Sequence, residues 1–390
     1  MIGAFVWCQP GKGLFRVSEI AIMGCGFVAD LYMKSLTTFP DIKVIGAYDK
    51  DAERLKSFCG HWGVVPFSSS GELFDTLPDK TLILNLTNPN AHYEVSRACL
   101  TAGFHVYSEK PLATRMADAE ELHALAGQQG LLLASAPCSF LGEAAQTLGT
   151  ALRSGMAGTP RLIYAELDDG FIPQAPFRNW QSESGAPWPY DDEFRTGCTL
   201  EHAGYYLSWL IAIFGSVKTV VAASADLIPD KVAEGQAAPD FSVATLFFET
   251  GPVARLTCSI LAPHNHQIQV IGDKGVLTVK KAWDNSAAVR FYRRFTIRRK
   301  LLEHPIGRRF RLKGQTHPKV KRTGAASMNF ALGPAEMLAA IRDNRPSRMS
   351  ADFALHLNEV TLAIQNAGDN TGAQKMQTRC LPVEPMPWAV

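Results

Sequence analysis

Three groups of residues in this chain have the types and spacing to do chemistry. The first is Gly24-Cys25-Gly26-Phe27-Val28-Ala29. The apolar run before it, Ser18 to Met23, reads as a strand, and the pattern after it, through Leu36, reads as a helix. In that setting Gly24 permits a tight turn, Gly26 lets the backbone approach a pyrophosphate, and Ala29 allows close helix packing. The phosphates would rest on free N–H groups at the helix N-terminus, where the dipole also favours an anion. Asp49 ends the next strand, where an acid accepts hydrogen bonds from the ribose hydroxyls. Such an acid repels a 2′-phosphate, so NAD is expected over NADP, with Lys50 working against that preference.

The second group is Glu109-Lys110-Pro111, at the C-terminal end of a strand, where open α/β sheets bind ligands. The third is the polar loop from Phe171 to Arg195, with Trp180, Trp188 and Asp191-Asp192-Glu193. Aromatics mixed with carboxylates suit stacking on a sugar ring and hydrogen bonding to it. Arg178 and Trp180 are the candidate contacts, and a surface loop pinned by its tryptophans is the alternative. His264 and His266 flank Asn265, but a pair without a third ligand makes no metal case. No metal is expected, and both histidines read as structural.

The elements that must position these groups alternate. Strands are expected at 18–23, 43–49, 63–67, 81–86, 105–107 and 131–134. Helices follow the glycine segment and occupy 51–59, 73–77, 93–102 and 116–129. That rhythm predicts a doubly wound parallel sheet with helices on both faces. Beyond Ala136 the strands lengthen and alternate, at 161–167, 218–224, 241–249, 253–261, 266–272 and 275–280. An apolar helix over 199–214 interrupts them, and helices at 334–344 and 351–366 close the chain. The fold class is therefore α/β, with a second α+β domain on an open, mostly antiparallel sheet. The division expected is a loose extension or upstream start at 1–17, a nucleotide domain at 18–136, and a substrate and oligomerisation domain at 137–390.

Composition narrows the function. The 390 residues carry 39 Lys+Arg against 37 Asp+Glu, which excludes a globally basic nucleic-acid binder. No run of 18 apolar residues suggests a membrane span, and the N-terminus lacks the basic region of a secretory signal. Eight dispersed cysteines without CxxC suggest reduced thiols and a cytoplasmic setting. Positive charge concentrates in 290–322, with thirteen Lys/Arg, one acid (Glu303) and interleaved aromatics. A solvated insertion before the C-terminal helices, a phosphate contact for a nucleotide-linked sugar, and a single-stranded nucleic-acid surface are the readings open. The first is favoured and nucleic acid is not expected.

Glu109-Lys110-Pro111, preceded by Thr87-Asn88-Pro89-Asn90-Ala91-His92 and the glycine segment, resembles the Gfo/Idh/MocA family (glucose–fructose oxidoreductase, inositol dehydrogenase). The resemblance covers roughly residues 18–370, including Thr196-Gly197-Cys198-Thr199-Leu200-Glu201-His202-Ala203-Gly204-Tyr205-Tyr206. It implies that Lys110 lies beside the nicotinamide and hydrogen-bonds the substrate oxygen, with Glu109 and Pro111 fixing it. Thr87, Asn88, Pro89 and His92 would sit near the cofactor. Many relatives read Gly-Gly-x-x-x-Asp-x-Gly-x-His in the second domain. Here Glu201 stands for the Asp and Tyr205 for the His, one helical turn apart and able to address one ligand. Tyr205 is then the candidate acid/base, its phenol lowered by Lys110, with His202 the rival. Glu201 would orient them. The family implies an NAD-dependent dehydrogenase acting on the CH–OH group of a sugar, polyol or nucleotide sugar, working as a homodimer or homotetramer. An NAD-dependent glycosidase and a non-catalytic dinucleotide binder are the alternatives.

Overall fold

The structure, a computed structural model, describes residues 18–232, 235–322, 327–368 and 372–390. The extension expected at 1–17 lies outside the described residues.

The first half forms a five-stranded parallel sheet. Its strands are β1 (Ser18–Met23), β2 (Ile42–Tyr48), β3 (Leu82–Asn85), β4 (His105–Ser108) and β5 (Leu133–Ser135), in the order β2-β1-β3-β4-β5. Ile20, Ala21 and Ile22 are wholly buried, as expected of a central strand covered on both faces. The connecting helices are α1 (Phe27–Leu36), α2 (Ala52–Trp62), α3 (Ser70–Thr76), α4 (His92–Thr101) and α5 (Met116–Gln129). Asp51 caps α2 by accepting from the Arg54 N–H at 3.1 Å. The strand expected at 63–67 reduces to one bridge, Ala47 to Pro66, because Pro66 has no N–H to extend a ladder. The strand order reverses between β1 and β3, and this opens a crevice at their carboxyl ends.

The second half is built on a ten-stranded sheet. Its helices and first strands are α6 (Glu143–Arg153), β6 (Pro160–Asp168), α7 (Tyr190–Thr196), α8 (Gly204–Phe214), β7 (Val217–Ala225), β8 (Phe241–Phe248) and β9 (Val253–Ser259). It continues with β10 (Ile268–Gly272), β11 (Gly275–Val279), β12 (Val289–Ile297), β13 (Lys300–Glu303) and β14 (Arg308–Phe310). The chain closes with α9 (Leu332–Arg342), α10 (Ala351–Gln365) and β15 (Gln374–Lys375). The order is β13-β12-β11-β10-β6-β9-β8-β7-β15, with β14 against β12. Only β6 and β9 run parallel.

Burial alternates along β8, so one face of this sheet is covered. Helix α10 fills the space between the two halves. Phe353, Leu357, Val360 and Ile364 join the core shared with both sheets, and Ala354 and Leu355 join the core under α5. The second half is therefore not self-contained.

The basic segment, expected as a solvated insertion before the last helices, folds in part into strands. Strands β12 to β14 prolong the sheet, and most of the segment's cations stay exposed along that edge. Arg294 donates to the Gly272 carbonyl at 2.9 Å, and Arg290 to that of Gly307 at 3.1 Å. Strands with charged side chains are how sheets blunt an exposed edge.

Candidate active site

The crevice is made by three loops following β1, β3 and β4. Gly24 has φ +95°, and a Cβ there would lie 2.7 Å from the Leu86 carbonyl carbon and the Thr87 nitrogen. Only glycine lets the β1 and β3 loops touch in this way. At Gly26 a Cβ would meet nothing within 4 Å, and α1 begins there without a side-chain cap. The helix N-terminus therefore faces open space, which fits a pyrophosphate, although the Ala29 N–H is already donated to the Gly26 carbonyl at 3.1 Å.

Asp49 is buried and bridges this turn to the start of α2. Its carboxylate accepts from the Cys25 N–H at 2.7 Å and the Asp51 N–H at 2.8 Å, with the Arg54 guanidinium 3.7 Å away. The dinucleotide is thus accommodated by a ready-made anion site and an adjacent acid, and the residues present fit it.

One cavity of about 180 Å³ is lined by Gly26, Phe27, Val28, Thr87, Asn88, Pro89, Glu109 and Lys110 from the first half. Glu201, His202 and Tyr205 line it from the second. Most of the residues expected around the cofactor thus meet the four expected to act in catalysis, Lys110, Glu201, His202 and Tyr205. Gly24, Ala29 and Asp49 stand behind the lining, shaping it. His92 does as well: it is wholly buried, with Nδ1 2.7 Å from the Pro111 carbonyl and Nε2 2.8 Å from that of Thr87. Burial lowers its pKa, and the two carbonyls only partly offset that. It is a strut joining the β3 loop to the Lys110 loop, not a wall of the cavity.

Lys110 is paired with Glu201 through a direct hydrogen-bonded ion contact. Burial opposes its positive charge, but Glu201, Glu193, Tyr205 and Glu109 outweigh that and hold the ammonium firmly protonated. Glu109 is buried beneath it, accepting from the Tyr32 hydroxyl at 2.6 Å and the Lys110 N–H at 3.1 Å. Glu193, on α7, was noted in the sequence only as a loop acid. Burial, then the Glu201 charge, push its carboxyl well up, and it hydrogen-bonds Glu201. Glu193, Glu201 and Lys110 therefore form a chain of two hydrogen-bonded acids and an ammonium, with protonation favoured on Glu193.

The electrostatics correct one expectation. Lys110 does favour the Tyr205 phenolate, but burial dominates, and with Glu109, Glu201 and Glu193 it drives the phenol upward, so Tyr205 stays a phenol. A second correction is geometric. Thr199–Ala203 is a π-helical turn leading into α8, so the angles of a regular helix do not apply. Adjacent Glu201 and His202 both face the cavity, and a widened turn of this kind is common at functional sites. Burial lowers the His202 pKa, and its Nδ1 has no protein hydrogen-bond partner.

A larger cavity of about 470 Å³ adjoins this one, also lined by Glu193, Glu201 and His202. Trp180 and Trp188 form part of its wall, their rings 5.0 Å apart, and Asp30, Asp169 and Arg322 bring charge to it. Asp30 anchors the 171–195 loop to α1 by accepting from the Ser184 hydroxyl at 2.7 Å, and it accepts as well from the indole of Trp62 at the end of α2. Arg178 is not in either lining. It is exposed, its guanidinium spent on the Tyr190 hydroxyl at 2.9 Å and stacked over that ring. Trp283, which no sequence pattern marked, lies between the cavities against Tyr205, His202 and His266.

A parallel sheet with a phosphate-ready turn, joined to an antiparallel domain that brings a paired lysine to the same crevice, defines a two-domain nucleotide-dependent oxidoreductase. The profile described as "Oxidoreductase family, NAD-binding Rossmann fold" matches residues 18–136, and that of the "GFO/IDH/MocA C-terminal domain" matches 145–278. The chain belongs to the Gfo/Idh/MocA oxidoreductase family. It is 26% identical over 303 residues to the uncharacterized oxidoreductase YfiI of Bacillus subtilis, covering 72% of this chain and 70% of that protein. It is also 26% identical over 271 residues to trans-1,2-dihydrobenzene-1,2-diol dehydrogenase of Mus musculus, covering 67% and 74%. Among solved structures, the WlbA dehydrogenase of Bordetella pertussis in complex with NADH and UDP-GlcNAcA superposes with a TM-score of 0.70 at 19% identity, covering 93% of this chain and 99% of that one. Among the described residues no helix is long and apolar enough to cross a membrane.

Proposed function

We propose that this chain is an NAD-dependent dehydrogenase acting on a carbinol carbon of a sugar, polyol or nucleotide-linked sugar. The observation that carries the reading is the Lys110–Glu201 pair, backed by Glu193, at the junction of the dinucleotide crevice and the tryptophan-walled cavity. When bound, the nicotinamide supplies the hydride acceptor. Lys110 donates a hydrogen bond to the reacting oxygen and stabilises negative charge there as the hydride leaves. The hydroxyl proton leaves by relay: Lys110 gives one proton to Glu201, the lone pair this frees on Nζ takes the hydroxyl proton and restores the ammonium, and the released proton rests on Glu201 while the hydride goes to the nicotinamide. Tyr205, a phenol, serves as a second donor to that oxygen. Trp180 and Trp188 offer stacking faces, and Asp30 and Glu193 offer acceptors, to a polyhydroxylated ring.

Asp49 favours the free ribose hydroxyls of NAD, and Arg54 beside it is the group that would accommodate a 2′-phosphate. That relatives are named for nucleotide-sugar and polyol chemistry supports the substrate class. The outer face of the second sheet, with Leu162 and Val221 exposed, is where two copies would pair. The seven described cysteines are free, which supports a reducing, cytoplasmic setting.

The test is absorbance at 340 nm with NAD and, separately, NADP across polyols, aldoses and nucleotide-linked sugars. NADH formation with one class, abolished in Lys110→Ala, is expected. Turnover that survives this substitution, or that occurs only with NADP, overturns the assignment. Release of a glycosidic group without net NADH would identify the glycosidase instead.

A further inference from the structure

The strongest unexplained cluster lies on the wall of the larger cavity. Asp168 at the end of β6 is bridged to Asn265 just before β10. Side chains alternate between faces along a strand, so this register puts Asp169 on the same face as His264 and His266. The fold thus supplies the third partner that the His264/His266 pair lacked in sequence. His266 Nε2 lies 2.9 Å from Asp169 Oδ1, and His264 Nδ1 lies 3.8 Å from the same oxygen. The three ligand atoms lie within 4.8 Å of one another.

Bonds of about 2.0–2.1 Å in a tetrahedral arrangement put ligand atoms about 3.3–3.4 Å apart, so the observed separations straddle the required one. His202 Nε2 approaches the other carboxylate oxygen, Asp169 Oδ2, at 3.7 Å, and would orient the carboxylate from behind. Gly170 has φ +82°, and a Cβ there would lie 3.1 Å from His264 Nε2, so the glycine keeps room for that ring. Three imidazoles converge on one carboxylate with more hydrogen-bonding capacity than they satisfy: His202 Nδ1 has no protein partner.

We propose that Asp169, His264 and His266 form a site for a first-row divalent cation of the zinc type. Two imidazoles and a carboxylate are hard-to-borderline ligands suited to such ions. Three protein ligands leave one coordination position open, and Asp169 and His264 both face the larger cavity. A hydroxyl or carboxylate oxygen of the bound substrate would complete the sphere, so the ion fixes which end of the substrate enters. This last role rests on the dehydrogenase reading, but the cation site does not.

The experiment is a titration of the full-length, tag-free, chelator-treated protein with Zn²⁺ by calorimetry and with Co²⁺ by visible absorption. Trp283 provides a separate readout, because His266 stacks on its ring at 4.9 Å. One ion per chain, tetrahedral Co²⁺ bands and quenched tryptophan emission are expected. His264→Ala, at an exposed position, should weaken binding at least about tenfold, while exposed His304→Ala should not. Absence of one-to-one binding, or binding unchanged in both His264→Ala and Asp169→Asn, overturns the site. Metal binding without turnover would retain the site and count against the dehydrogenase; turnover without metal binding would do the reverse.

Discussion

Replacing Lys110 by Met removes one charge at nearly constant side-chain length and isolates what the ammonium does. In the wild type Glu201 is almost wholly buried, with 4% of its side chain exposed against 16% for Lys110. Glu193 beside it is another acid, so it cannot serve as the counter-ion. Breaking a buried pair by deleting one partner typically costs about 3–5 kcal/mol, because the remaining charge stays uncompensated. The burial of both side chains puts this pair at that limit. Chemical denaturation at pH 7 should therefore find Lys110→Met less stable by about that amount.

The double variant Lys110→Met/Glu201→Gln removes the stranded charge as well, and should recover most of the loss. Catalysis should behave differently. Losing one hydrogen-bond donor to a developing oxyanion reduces kcat by about 10²–10³-fold, and the Gln cannot restore it. The expected signature is stability that returns in the double variant while turnover does not. If the single variant is as stable as wild type, Lys110 and Glu201 are not a buried pair. If the double variant regains turnover, the lysine serves only to neutralise Glu201 and does not act on substrate.

Glu193→Gln keeps the hydrogen bond and removes the titration. Since the fold raises this carboxyl, its stabilising contribution is full below the unfolded carboxylate range and lost as pH rises towards the folded value, by up to about 1.4 kcal/mol per pH unit. Stability curves against pH should therefore be flatter in the variant on the alkaline side of pH 4, and identical slopes would refute the assignment. His356 behaves oppositely. Burial depresses it from 6.5 to about 4, while Nε2 accepts from the Val217 N–H at 2.9 Å. Its contribution is complete above pH 6.5 and disappears as pH falls towards 4, amounting to about 3 kcal/mol, and His356→Gln should remove that part of the acid sensitivity in thermal denaturation. Gly24→Ala forces a methyl into the Leu86–Thr87 backbone, so NADH titrated by fluorescence should bind at least about tenfold more weakly; unchanged affinity would mean that the turn relaxes freely. Light scattering of the wild type at micromolar concentration should give a dimer or tetramer, and a monodisperse monomer would remove the outer sheet face as an interface.

What was legible in the sequence was whatever local pattern decides. The β1 turn, α1 and the glycine spacing could be read because a strand, a positive φ and a helix start each leave a mark in adjacent residues. Helix α5 was readable to its last residue, where Gly130 closes it in the left-handed conformation. The edge strands β12 to β14 were hidden because their charge suits a solvated loop as well as it suits an exposed sheet edge. The parts of the site that escaped notice depend on which strands become neighbours. Trp283 follows β11, Glu193 sits on a short helix within a polar loop, and Asp169 meets His266 only through the pairing of β6 with β10.

The π-helical turn is the sharpest case. A count of 3.6 residues per turn aims Glu201 and Tyr205 together and turns His202 aside. One wider turn at Thr199–Ala203 instead admits all three to the same cavity. Local sequence therefore located the helix that carries the chemistry, while tertiary packing decided which of its side chains reach the reacting atoms. The same packing explains why Tyr205 did not follow its nearest cation. A phenol answers to the whole of its surroundings, and burial together with three nearby acids outweighs one ammonium.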